Sequence, residues 1–161
     1  MEVMEAIRTR RNIKDFKPDP IDEADWMSWL EAAGWAPNHR MTEPWEVLLI
    51  GRETRNKLNH KADFGGAPVV LAVLSKPAAT SFERDEQLMA VSCFVQNFLL
   101  AAHAAGAGVR WASLGASPRS REIMGVPEGY DVVGVFGVGY PAEIPEPKPR
   151  APIGEKLRRL P

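Results

Sequence analysis

Apolar residues recur along this chain with two different periods, and together they divide it into helices and strands. Val3, Met4 and Ile7 share one helical face within Glu2 to Thr9. Trp26, Trp29, Leu30 and Ala33 form a second helical stripe. Asp22 is placed as its N-cap, Glu23 and Asp25 fall in its first turn, and Gly34 ends it. Glu46 to Ile50 reads as a strand closed by Gly51, and Arg52 to Lys61 as a short polar helix. Asp63 to Pro68 reads as a turn. Val69 to Leu74 is almost wholly apolar, which predicts a strand buried on both faces.

Glu83 to Gly106 predicts the longest helix, roughly 35 Å at 1.5 Å per residue. Its first turn is acidic and Gly106 is its expected C-cap. From Leu88 onward it is apolar nearly all round, so it needs cover on every side, from its own domain or a partner subunit. Val109 to Ser113 reads as a short strand. Ser117 and Pro118 open another helix, as N-cap and first helical residue, and it ends near Gly125. Tyr130 to Tyr140 reads as a strand whose glycines admit close neighbours. From Pro141 to Pro152 alternating prolines exclude helix and central strand, leaving an extended arm. Glu155 to Leu160 has room for one helical turn.

Length and composition narrow the picture. A chain of 161 residues suits a single domain spanning residues 1–161. Basic and acidic residues nearly balance, 20 against 21, which argues against nucleic acid or a membrane surface as the main partner. The N-terminus shows no apolar signal segment, and Gln96, Asn97 and His103 interrupt the long helix as a membrane span. The expectation is a soluble, cytoplasmic protein. Cys93 is the only cysteine and sits within the apolar helix, where a buried, inert thiol is expected.

The chemistry lies at the two ends. Arg8, Arg10, Arg11 and Lys14 put four cations into seven residues, and Lys148 and Arg150 alternate with prolines in the arm. Cations at a helix C-terminus also serve to complement its dipole, but this run continues past the helix toward Phe16. Trp35 to Trp45 is a polar loop carrying His39. It suits a ligand wall, or equally a surface histidine between two core tryptophans. The three histidines show no metal spacing, no serine lies in a nucleophile elbow, and no phosphate-binding glycine loop occurs. What remains is a set of phosphate-matching cations beside flat aromatic walls at Trp35, Trp45 and Trp111.

Four segments then make a resemblance specific. Arg10-Arg11-Asn12-Ile13-Lys14-Asp15-Phe16 is similar to the R-R-S-x-R/K-x-F segment of the nitroreductase family. Ala36-Pro37-Asn38-His39-Arg40 through Glu43-Pro44-Trp45 resembles A-P-x-x followed by Q-P-W. Gln96 to His103, with Gly106, Gly108 and Trp111, resembles Q-N-x-L-L-A-A-x-x-x-G-x-G-x-x-W. Lys148-Pro149-Arg150 resembles K-x-R. The chain departs from the pattern at Asn12, usually serine, and at Glu43, usually glutamine, and is short for the family.

The resemblance implies an α+β fold with a central, mostly antiparallel β-sheet flanked by helices and an extended C-terminal arm, residues 141–161, wrapping the partner. It implies a homodimer with FMN at the interface. Arg10 and Arg150 would hold the phosphate, with Arg11 in the same motif and Asn12 and Lys148 in support. Lys14 would lie near the pyrimidine end, and Trp111, Ala112 and Ser113 would line the ring. His39 would contact FMN from the partner subunit, with Trp35 nearby. The activity implied is hydride transfer from NADH or NADPH through flavin N5 to nitroaromatic, quinone or similar small acceptors, by a ping-pong scheme. No side chain is nominated as catalytic acid or base, and no metal is expected. Two other activities stay open: a flavin-dependent dehydrogenase or oxidase of one metabolite, and a non-catalytic flavin-binding dimer.

Overall fold

The computed structural model describes residues 1–161. Its centre is β2, Val69–Ser75, every residue of which is buried. It lies between β1, Trp45–Leu49, and β4, Asp131–Gly139, and β4 in turn pairs with β3, Gly108–Ala112. All three pairings are antiparallel, in the order β1-β2-β4-β3. The expected strand boundaries hold to within one residue. The expected α+β class holds as well, with a sheet that is wholly antiparallel. Between Val73 and Leu74 the β2–β4 register slips, which leaves Val133 out of the ladder as a bulge.

Period-two alternation explains the burial of β2. Val69, Leu71 and Val73 face one core, Val70 and Ala72 the other. The first core receives α2, Glu23–Ala33, through Trp26, Trp29 and Ala33, and α5, Ser81–Ala104, through Val91, Phe94, Val95 and Phe98. Trp45 stacks on Phe94 with ring centroids 5.1 Å apart. The second core receives Ile13, Phe16, Phe64 and Met124. The sheet is therefore covered on both faces, as the continuous apolar pattern of β2 requires.

The long helix begins at Ser81. Thr80 caps it by accepting from Glu83 N–H at 3.1 Å, and the Glu83 carboxylate accepts from Ala79 N–H at 2.8 Å. It ends in a Schellman motif: Ala107 N–H donates to Ala102 O and Gly106 N–H to His103 O, with Gly106 at φ +84. By length and composition α5 could cross a membrane, yet Val91, Phe94, Val95 and Phe98 pack it into the first core.

Three expectations need correction. Cys93 is exposed rather than buried, and with Met89 at 56% exposed the chain's own domain does not cover this side of α5. Cys93 falls two positions off the Val91–Val95 stripe, which is the side turned from the sheet. Second, the polar helix α3 stops early, at Arg52–Leu58, because Asn59 turns left-handed at φ 46. Third, the expected turn before β2 is a left-handed helical turn, α4, Lys61–Gly66. Non-glycine residues in this conformation cost roughly 1–2 kcal/mol each. Phe64, completely buried, and Arg55, which holds Asp63 Oδ1 and Oδ2 at 2.8 Å and Ala67 O at 2.6 Å, offset that cost.

Candidate functional site

The basic stretch leaves α1, Val3–Thr9, and runs in extended form along the free edge of β3. Ile13 N–H donates to Val109 O at 3.1 Å, and Asn12 makes a parallel bridge with Val109. The Asn12 side chain accepts from Trp111 N–H at 2.9 Å, so its amide NH2 remains free to donate elsewhere. Farther on, Phe16 N–H donates to Gly65 O, Lys17 N–H to Tyr140 O, and Ala142 N–H to Asp15 O. The stretch is thus threaded between β3, the left-handed turn and the root of the arm.

Arg10 is half-buried. Burial first, and then the neighbouring Arg11 and Arg150, push its guanidinium below the ordinary arginine value. Three cations are therefore brought together from opposite ends of the sequence. None of them forms an ion pair; the salt bridges of the chain are Arg55–Asp63, Lys57–Glu53 and Arg84–Asp131. Such a set suits an anion. Arg11 also does helix-end work, since its Nη1 donates to Arg8 O and Arg10 O at 2.8 and 2.9 Å. Its Nε is buried without a partner. A cavity of about 210 Å³ opens here, lined by Thr9, Arg10, Arg11, Leu99, His103 and Ile144 among others.

Lys14 is exposed, and its carbonyl is held by Arg110 Nη1 at 2.8 Å. Trp111 is 42% exposed and rests on Phe136 at 5.0 Å. Gly134 makes that possible, because a Cβ there would lie 2.5 Å from the Trp111 ring nitrogen. Ala112 is buried at the end of β3 and Ser113, exposed, follows it. Asn12 and the exposed Trp111 thus meet at the edge of β3, whereas Ala112 packs into the second core, on the opposite face of the sheet from Trp111.

Trp35 and His39 do not join that group within one chain. Trp35 is 90% exposed, so of the two loop tryptophans only Trp45 anchors the core. His39 lines a separate cavity of about 360 Å³ with Arg40, Phe82, Glu83, Glu86 and Gln87. Gln87 there carries a buried Oε1 with no partner. Lys148 is exposed, and its carbonyl accepts from Arg150 at 3.3 Å.

Sequence reasoning missed Arg55, Arg110 and His103, which position or border the site. Arg110 and His103 sit inside recognised segments, but their bonds span 96 and 94 residues, so local pattern carries no trace of them. The cation group at Arg10 was visible because arginines adjacent in sequence stay adjacent in space.

Known proteins share this arrangement of sequence and fold. The nitroreductase family profile matches residues 7–63 and 55–140. A Bacillus subtilis protein that carries the provisional name NAD(P)H nitroreductase YfhC is 31% identical over 97% of this chain and 93% of its own. The crystal structure of a nitroreductase-like family protein from Bacillus cereus superposes with TM-score 0.89 at 30% identity, covering 99% of this chain and 96% of the other. A structure from Exiguobacterium sibiricum solved in complex with FMN aligns with TM-score 0.87 over 99% of this chain and 98% of the other; at 18% identity that is a likeness of fold alone. Family profile, near-full-length relative and fold agree: the chain belongs to the nitroreductase family.

Proposed function

We propose that this chain is an FMN-dependent NAD(P)H oxidoreductase, working in the cytoplasm as a homodimer with the cofactor at the subunit interface. The observation that carries the reading is that Arg10 and Arg11 line one cavity with no carboxylate in its lining and no ion pair of their own, with Arg150 near enough to act on Arg10. That donor set fits a phosphate monoester, which guanidinium groups bind in bidentate fashion.

Arg10 and Arg150 take the phosphate, with Arg11 behind them and Lys148 adding charge from the arm. Asn12 offers its free amide hydrogens. Lys14 stands beside the pyrimidine edge, where a fixed cation favours negative charge on a reduced ring. Trp111 and Ser113 give one wall for the ring system. His39 and Trp35, set apart within one chain, supply the opposite wall from the partner subunit. When bound, FMN supplies the two-electron chemistry, hydride from NADH or NADPH to a small acceptor such as a nitroaromatic or quinone. The protein binds, orients and shields; no side chain acts as acid or base.

The test is the visible spectrum of the purified protein, followed by acid release of its chromophore. Flavin absorption with FMN released at about one per chain is the expected result. A colourless protein that takes up no added FMN overturns the proposal. Arg10→Glu should empty the site; unchanged flavin content in that variant would remove the phosphate role of Arg10.

A further inference from the structure

Thr9 ends α1, and His103 lies in the last turn of α5. Their side chains meet at 2.8 Å, Thr9 Oγ1 to His103 Nε2. The threonine hydroxyl has one hydrogen, and it donates that hydrogen to Glu5 O at 2.7 Å. The contact with the ring is therefore Nε2–H donating to Oγ1. This fixes the neutral tautomer and leaves Nδ1 as the site that gains a proton.

Both residues line the cavity that Arg10 and Arg11 enter. Burial first, then Arg10 and Arg11 from the stretch after α1, hold the ring below the ordinary imidazole value, and Glu5 of α1 opposes them. Arg150 acts on Arg10 but not on the ring, and Met1, which carries the amino terminus, lines the same cavity. No other charged group of α5 acts on the ring. Burial and the two guanidinium groups outweigh Glu5, so the ring favours its neutral form. An anion in that cavity reverses the field at His103 as well as at the arginines.

We propose that His103 is a further binding residue for the phosphate group of the cofactor, an added cation of the clamp that takes one proton from solvent as the anion enters and stays tethered to Thr9 throughout. This rests on the FMN reading of the site. Binding then draws in a proton, so affinity rises as pH falls through the range between the free and bound imidazole values. It also limits repulsion in the empty protein, where a permanent cation at this position would face the Arg10 and Arg11 guanidinium groups.

The experiment uses the full-length apoprotein and its His103→Gln variant, titrated with FMN and with riboflavin by flavin fluorescence. Glutamine keeps an N–H donor for Thr9 and cannot titrate. Readings are taken near pH 6 and pH 8.5, roughly either side of the ordinary imidazole value. The phosphate of FMN itself loses charge toward acid, equally for both proteins, so the comparison between proteins at each pH isolates the ring. The expected result is nearly equal FMN affinity at the alkaline pH, about tenfold weaker binding by the variant at the acid pH, and no difference with riboflavin. In the wild-type protein, the His103 ring resonance should titrate at higher pH once FMN is added. An unmoved titration overturns the proposal even if the variant fails to fold. Equal weakening at both pH values assigns His103 a merely structural role and overturns it too. Unchanged binding by the variant overturns it while leaving the cofactor reading intact, whereas no FMN binding at any pH overturns both.

Discussion

At the scale of single residues, the site depends on what is absent as much as on what is present. Gly65 sits at φ +75, and a Cβ there would lie 1.8 Å from Lys14 O. Gly65→Ala therefore meets both a conformational and a steric obstacle, and neither obstacle is a flexible side-chain tip. The expected cost is about 1–2 kcal/mol from the backbone alone, read by urea unfolding, with weakened FMN binding because Lys14 is displaced. A variant as stable as the parent would show that the turn relaxes freely. His60 gives a second residue-scale prediction. Burial first, then Arg110 and Lys61, hold it below the ordinary imidazole value, as burial and Arg10 do for His103. The unfolded chain takes up protons at these two rings before the folded apoprotein does. Stability is thus complete above the unfolded imidazole value and is lost as pH falls toward the folded values. Thermal melts of the apoprotein across that range should show it, with the acid loss smaller in His60→Gln.

At the scale of elements, the left-handed turn α4 is the part of the fold that propensity opposes and packing imposes. Phe64 is wholly buried in the second core, among residues from the basic stretch and β2. Phe64→Ala should cost about 3–5 kcal/mol in denaturant unfolding. Leu49→Ala, at an exposed position of β1, should stay within about 0.5 kcal/mol. Similar losses for both would mean that the turn contributes little. The same contrast explains how far the sequence could be read. Strands β1 to β4, Ser117-Pro118 and the stop at Gly106 were legible because each follows from a local period or cap, whereas α5 starts at Ser81, two residues ahead of the expected Glu83. Residues Lys61 to Phe64 were not, because nothing in Lys-Ala-Asp-Phe favours left-handed backbone; Arg55 and the core impose it. In the site, Arg10 and Trp111 were legible through motif and aromatic character. The exposure of Cys93 was not, since an all-round apolar helix does not declare which side meets its own sheet.

At the scale of the whole molecule, that exposed side is the argument for a second chain. Val3, Met4 and Ile7 of α1 are 69%, 57% and 50% exposed, although they form the apolar stripe that the sequence shows. Met89 and Cys93 leave α5 uncovered on its outward side, and Ile144, Ile153 and Leu157 leave the arm bare. A chain that uses Trp26, Trp29 and Phe94 to close its own core has no element left for these surfaces. Exposed apolar area on this scale marks an interface. Under the dimer reading the partner covers α1 and α5, and it also brings the His39 loop that one chain leaves away from the arginine group. Sedimentation at micromolar concentration should therefore report a dimer. Met89→Glu should shift it toward monomer and lower FMN affinity together, because the site needs walls from both chains. Cys93, the single thiol, reports the same event: its modification by a disulfide reagent should be slow in the dimer and rapid in Met89→Glu. A monomeric wild-type protein that binds FMN fully would separate cofactor binding from assembly and remove the partner's His39 from the site.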